Sequence, residues 1–327
     1  MIFRLRLIPN RALFTKALSE MKVVLLGTGT SHGIPCIACD CDVCNSPDPH
    51  DKRLRCSAYV ISKNNDGTYS HILIDIGPEF RIQALTHKIK AVDAVLLTHS
   101  HADHLHGLDD IRIFSHTISS SHLTNPDSGK ETEGPGIAIY SNAQSIRDVQ
   151  DRFSYVFRPT QIGGGKPKLR LEEDTVFDAG TPPEFGDLKI TPVPMKHGEI
   201  DTTGWLISVR GADGVIHSFA YLTDCSSIPE SSIQKIIDNG GIIEHCVIDG
   251  LREVPHATHF SYLQAMQAAE KICPVHTWFT HICHLKKHAD ISAYIHEHLN
   301  SFENLSRIVK NGGSVEPAYD GLSFEIN

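Results

Sequence analysis

Short apolar runs, alternating with stretches of helical periodicity, organise the chain from Val23 onward. Val23 to Leu26, Ala58 to Ser62, Ile72 to Asp75, Ala94 to Leu97 and Ile137 to Tyr140 read as strands, with helices near Glu79 to Thr86, Asp109 to Ser115 and Ala143 to Phe153. A second series follows, with strands around Leu188 to Pro192, Trp205 to Val209, Phe219 to Leu222, Cys246 to Ile248 and Trp278 to Thr280. Its helices lie at Glu230 to Ile237, Tyr262 to Lys271 and Ala289 to Leu299. Two such series predict an α/β fold with two sheets sandwiched between helices. Two polar stretches interrupt the pattern. His116 to Gly136 has little to bury and predicts a surface loop, and Thr160 to Pro167, with Gly163 to Gly165, lacks the strand-to-helix context of a phosphate loop and predicts a turn.

With 327 residues, 40% of them hydrophobic, residues 21–327 suffice for one large domain. No apolar run approaches the ~20 residues of a membrane helix. The net charge of -9 argues against wrapping a long nucleic acid and leaves a single phosphate at a cation site compatible. Residues 1–20 carry Arg4, Arg6, Arg11 and Lys16 and no acid before Glu20, so they read either as a mitochondrial transit peptide, with Met21 a second start, or as a basic extension. Cytoplasm and mitochondrion both stay open, and the nine cysteines point to a reducing compartment.

The densest chemistry is Thr98-His99-Ser100-His101-Ala102-Asp103-His104, directly after the apolar run ending at Leu97. Three imidazoles and a carboxylate crowded into six residues repel on protonation and gain nothing by packing, whereas a loop leaving a buried strand can hold them on metal. His99 and His101, two apart in extended chain, can face one ion, while Asp103 and His104 open the next helix and can face a second. Three further predicted strands end on or just before His197, Asp224 and His281. A second cluster packs Cys36, Cys39, Cys41 and Cys44 into nine residues, too tightly for a disulfide framework, and suggests thiolate zinc with a fourth ligand from Cys36 or a distant histidine. Cys56, Cys225, Cys246 and Cys273 read as small core residues.

The H-x-H-x-D-H signature followed by separated His, Asp and His resembles the metallo-beta-lactamase superfamily, which implies a four-layer αβ/βα sandwich. The resemblance implies one divalent ion, Zn or Mn, on His99, His101 and His197, another on Asp103, His104 and His281, and Asp224 bridging them, with Asp75 supporting the ligand loop from behind. Two such ions about 3.5–4 Å apart activate water for hydrolysis of phosphoesters or acyl esters. Val24 to Ser31, Arg55 to Ala58, Leu73 to Arg81, Gly107 to Arg112, Thr258 to Ser261 and Ala318 to Leu322 resemble more narrowly the branch of phosphoribosyl cyclic phosphate phosphodiesterases. That resemblance implies a structural Zn on Cys39, Cys41, Cys44 and His284, with Cys36 and Cys283 as competing ligands. It also makes His259 the acid that protonates the leaving oxygen.

The function expected is a metal-dependent phosphodiesterase acting on a small cyclic phosphodiester or nucleotide-like ester, as a monomer or homodimer. A transfer-RNA 3′-processing endonuclease and a non-catalytic nucleotide sensor are the alternatives. Asp109, Asp110 and Arg112 either meet the substrate or pair on a helix surface.

Overall fold

A computed structural model describes residues 20–115, 136–158 and 166–326. The basic N-terminal segment except Glu20, the polar stretch up to residue 135 and the glycine triplet lie outside the described residues. The strands are β1 (Glu20–Gly27), β2 (Ser57–Lys63), β3 (Tyr69–Ile74), β4 (Ala94–Leu96), β5 (Ile137–Ser141), β6 (Leu169–Glu173), β7 (Lys189–His197), β8 (Ile200–Arg210), β9 (Ile216–Leu222), β10 (Ile242–Asp249), β11 (His276–Thr280), β12 (Ser314–Pro317) and β13 (Ser323–Ile326). The helices are α1 (Phe80–Thr86), α2 (Ala102–Leu105), α3 (Arg112–Ser115), α4 (Ala143–Arg152), α5 (Ser154–Phe157), α6 (Glu230–Gly240), α7 (Tyr262–Ile272), α8 (His288–His298) and α9 (Glu303–Lys310).

Two mixed sheets result, in the orders β13-β1-β2-β3-β4-β5-β6 and β12-β11-β10-β9-β8-β7. Between them Val23, Val60, Ile72 and Leu96 of the first meet Trp205, Ile207, Phe219 and Val247 of the second in one buried cluster. Residues one step along the same strands, such as Leu73 and Val95, face outward onto Phe80 and Val149, while Leu206, Ala220 and Ile248 face Ala265, Met266 and Ile291. Both faces of each sheet are covered, which is why these strands read as nearly continuous apolar runs. The layers run helix, sheet, sheet, helix.

The expected strands and helices form, with a few differences. The single helix expected over Asp109 to Ser115 is a 3-10 turn, Leu108–Ile111, followed by α3. The strands β6, β12 and β13 and the helices α5 and α9 were not anticipated. Cys273 is exposed, not core: it caps α7 in the left-handed conformation and its thiol donates to Glu270 O at 3.2 Å.

On the neighbouring strands β10 and β11 His245 stacks on His276, and its Nδ1 accepts the Trp278 Nε1–H at 3.0 Å. Burial, and next the His276 charge, push the His245 imidazole down to about 3. The unfolded chain, with a histidine pKa of about 6.5, therefore binds more protons than the folded one throughout this window. The stability held above about pH 6.5 is lost as pH falls toward 3. Urea unfolding at about pH 7 and about pH 4.5 should show a smaller acid loss for His245→Gln, which keeps an acceptor for Trp278, than for the wild type. Equal losses refute this.

Candidate metal centre

The parallel strands of both sheets run their C-terminal ends to one edge of the sandwich, where open α/β sheets place ligands. Past β4 the chain enters the H-x-H-x-D-H loop: His101 is extended at the N-cap of α2, and Asp103 and His104 occupy that helix. The fully buried Asp75, just beyond β3, accepts from Thr98 N at 2.8 Å through Oδ1 and from His104 Nδ1 at 2.7 Å through Oδ2. The close fit of this turn needs glycine: a Cβ on Gly77 would lie 2.2 Å from Asp103 O, and one on Gly107 2.0 Å from Gly77 O. Asp148 of α4 accepts the Ser100 hydroxyl at 2.5 Å, and Arg152 donates to Ser100 O, so the loop is also held from outside.

From the other strands come His197 at the end of β7, Asp224 two residues past β9 and His281 immediately past β11. Asp75, Asp224 and His281 have φ of 58°, 55° and 56°. Non-glycine residues enter this left-handed region infrequently, and here it turns each side chain at a strand end.

His99, His101 and His197 bring their donor atoms within 4.8 Å of one another, and so do Asp103, His104, Asp224 and His281. His104 Nε2 lies 3.2 Å from both Asp103 Oδ2 and Asp224 Oδ2, and His281 Nε2 lies 3.3 Å from Asp224 Oδ1. Asp224 Oδ2 also comes within 3.7 Å of His99 Nε2, so this carboxylate stands between the two sets. The His104 Nδ1–H is spent on Asp75 and the His197 Nδ1–H on Thr258 O, at 2.6 Å, which leaves Nε2 of each for the centre.

These donors fit divalent ions. Nε2 of His99, His104 and His281 is buried without a hydrogen-bond partner, a loss of about 1–3 kcal/mol each if nothing were to bind there. Ligands about 2.0–2.1 Å from a tetrahedral ion lie about 3.3 Å apart, close to the separations seen. The electrostatics agree. Burial opposes charge on His104, yet Asp224, Asp103 and Asp75 outweigh it and raise its pKa well above the ordinary value, so the carboxylates favour a positive charge here that a divalent ion would supply in place of the Nε2 proton. Burial lowers His99 and takes His197 to about 4, so both are neutral donors at neutral pH.

Beside these donors stands His259, whose Nδ1–H donates to Asp249 Oδ2 at 2.7 Å. Its ring centroid is 4.5 Å from those of His197 and His281. Asp249, the last residue of β10, was not among the expected site residues. Its Oδ2 also accepts from Cys225 N at 2.9 Å, and Oδ1 is buried without a partner. Burial raises its pKa, against the pull of His281. The sign it offered was a strand ending in Asp, like the one before Asp224. The capping box of Ser261 and Gln264 anchors α7 and fixes the approach of the His259 loop.

The cysteine cluster is equally compact. Sγ of Cys39, Cys41 and Cys44 lies 3.4, 3.4 and 3.5 Å from His284 Nδ1. A tetrahedral zinc with bonds of about 2.3 Å to sulfur and 2.0 Å to nitrogen separates such atoms by about 3.5 Å. The Cys44 N–H, and then His284, pull the Cys41 thiol down to about 6. Cys36 turns away and donates to Gly33 O at 3.2 Å, and neither it nor Cys283 joins the four-residue group.

A layered sandwich carrying paired His and Asp groups at its strand ends defines a metal-dependent hydrolase. The chain belongs to the metallo-beta-lactamase superfamily: the family model described as a beta-lactamase superfamily domain matches residues 70–282. A crystal structure described as a new diphosphatase from the PhnP family is 34% identical, with 94% of this chain and 98% of that one covered at a TM-score of 0.70. Zn(2+)-bound PqqB from Methylobacterium extorquens (17% identity, 93% and 99% covered, TM-score 0.64) and the short form of human tRNase Z (16%, 94% and 98%, 0.54) share the fold. An octanoyltransferase from Porphyromonas gingivalis (strain ATCC BAA-308 / W83) is 32% identical over 311 residues. The match covers 94% of this chain, which spans about half, 52%, of that curated relative. No helix among the described residues is long and apolar enough to cross a membrane.

Proposed function

We propose that this hydrolase is a phosphodiesterase acting on a small cyclic phosphodiester or nucleotide-like phosphoester. The position of His259 beside the two donor sets carries the proposal, and the PhnP-family relative named as a diphosphatase supports the phosphoester class. His99, His101 and His197 would hold one divalent ion, zinc or manganese, and Asp103, His104 and His281 the other, with Asp224 shared. Two ions there supply Lewis-acid charge and lower the pKa of water. The side chains do the rest. Hydrolysis joins a water oxygen to phosphorus and breaks the bond to the departing ester oxygen, which needs a proton. His259 gives that proton from Nε2 while Asp249 keeps Nδ1–H oriented and supports the imidazolium. Cys39, Cys41, Cys44 and His284 would hold a structural zinc. The charge of -9 suits a small substrate better than a long nucleic acid.

His259→Ala should lower kcat on ribose 1,2-cyclic phosphate, whose departing alkoxide needs a proton, by about 10²–10⁴-fold with metal content unchanged, and should affect bis(p-nitrophenyl) phosphate, whose nitrophenolate leaves without one, far less. Asp249→Asn should lower kcat on the cyclic phosphate by roughly 10–100-fold. Undiminished kcat on the cyclic phosphate in His259→Ala removes the acid from the mechanism, and no turnover of either ester by metal-loaded wild type overturns the phosphodiesterase.

A further inference from the structure

Between Arg252 and Ser261 the chain makes a loop whose ends are joined by a parallel bridge between those two residues, with Tyr262 N donating to Arg252 O and Leu251 N to Phe260 O, both at 3.0 Å. Glu253 to Ala257 are exposed, yet the loop is tied within itself. Arg252 folds back and donates from Nε to Val254 O at 3.0 Å and from Nη2 to Pro255 O at 3.1 Å, and Glu253 pairs with Lys286 at 2.9 Å. Thr258 sets the ring of His256: its backbone N–H lies 3.3 Å from His256 Nδ1 and its hydroxyl 3.1 Å from the same nitrogen. A backbone N–H can only donate, so Nδ1 carries the lone pair and the neutral ring has its proton on Nε2, at the opposite edge. The carbonyl of this same Thr258 accepts from His197 Nδ1, which registers the loop against the metal donors. The His256 ring centroid is 5.4 Å from that of His259, itself 4.5 Å from those of His197 and His281. His256 is thus the exposed outer member of a row of imidazoles whose inner members are buried, on the side from which the leaving oxygen receives its proton. Among the described residues nothing accepts from its Nε2.

We propose that His256 is a specificity residue for the departing side of the ester, donating from Nε2–H to a hydrogen-bond acceptor on that group other than the oxygen that leaves. The inference rests on the reading of His259 as the acid, since that reading places the departing group beside His256. A tied loop fits the role, because a donor held in place loses little freedom when it binds. Esters whose departing group has no further acceptor gain nothing from it.

The test compares kcat and KM on two five-membered cyclic phosphates: ribose 1,2-cyclic phosphate, whose departing oxygen sits on a sugar with further hydroxyls, and ethylene phosphate, whose departing oxygen sits on a bare two-carbon chain. Metal-loaded wild type, His256→Ala, His256→Phe and His256→Gln are assayed, with metal content measured beside the kinetics. For His256→Ala, kcat/KM on the ribose ester should fall about three- to tenfold beyond any fall on ethylene phosphate, through KM, as expected for one lost neutral hydrogen bond made alike in the bound and transition states. His256→Phe, which keeps a ring without the donor, should fall as far, and His256→Gln, which keeps an N–H, should lie between it and the wild type. Metal content should stay at the wild-type level. Equal falls on both esters, with or without loss of metal, overturn the inference and leave His256 as a prop for Thr258 and His197, and so does no fall on either. If wild type hydrolyses neither ester, the phosphoester reading fails and this inference with it, whereas wild-type turnover without a selective loss in the variants overturns this inference alone.

Discussion

Asp224→Asn should lower kcat/KM on any ester the protein hydrolyses by on the order of 10³-fold, with the bound active-site metal falling from two equivalents toward one or none. Among the described residues, Asp224 is the one carboxylate within 4 Å of histidine nitrogens from both donor sets, His99 on one side and His104 and His281 on the other. Burial alone would raise its pKa, but His104 and His281 outweigh that and keep it ionised. An amide of the same size offers one neutral oxygen in place of two charged ones, so two ions would lose their shared counter-charge at once. Far-ultraviolet circular dichroism should stay unchanged, since the fold around the left-handed turn at Asp224 tolerates asparagine. Elemental analysis alongside kinetics checks this. Full metal content with wild-type kcat would remove Asp224 from the centre.

The second large effect is expected at the cysteine cluster. Cys41→Ser should release one zinc equivalent and lower the melting temperature by roughly 6–12 °C, taking about 3 kcal/mol at about 2–4 °C per kcal/mol. The loop around it has little else to hold it: Ile34, Val43 and Cys44 form a small satellite cluster, and Ile37 is 95% exposed. Activity should fall as well, by about tenfold. His284 stands three residues beyond His281, and the intervening Ile282 is tied by backbone hydrogen bonds to Thr28 and Thr30, so releasing one end of this segment loosens the other. Differential scanning calorimetry with zinc analysis tests it, and an unchanged melting temperature in a zinc-depleted variant refutes it.

Much of the architecture was legible because both faces of each sheet are covered, so apolar runs mark strands directly, as in Ala94 to Leu97 and Phe219 to Leu222. The C-terminal elements were not. β12 and β13 are four residues each, only partly buried, and β13 lies at a sheet edge, so pairing partners far along the chain decide them, not local pattern. Within the candidate site, residues close in sequence were the easiest to group: His99, His101, Asp103 and His104 share one loop, and the chain itself keeps them together. His197, Asp224 and His281 stood out as residues at strand ends and gained their pairing, as His284 did its place, through a resemblance; the structure brings the first three to the two donor sets of that loop and His284 to the cysteines. Asp249 and His256 carried no signal in the sequence that set them apart from other strand ends and exposed loops.

By itself, then, the sequence determined the strand and helix alternation, the dense ligand loop and the cysteine cluster, since all three depend on spacings of a few residues along one backbone. Only the tertiary structure decided which strand ends meet. Thr203 N donates to Thr98 O across the two sheets, and that packing sets His197, Asp224, Asp249 and His259 around the first sheet's loop. Such contacts join residues more than a hundred positions apart, where no local periodicity exists and the burial of two sheet faces against each other fixes the geometry.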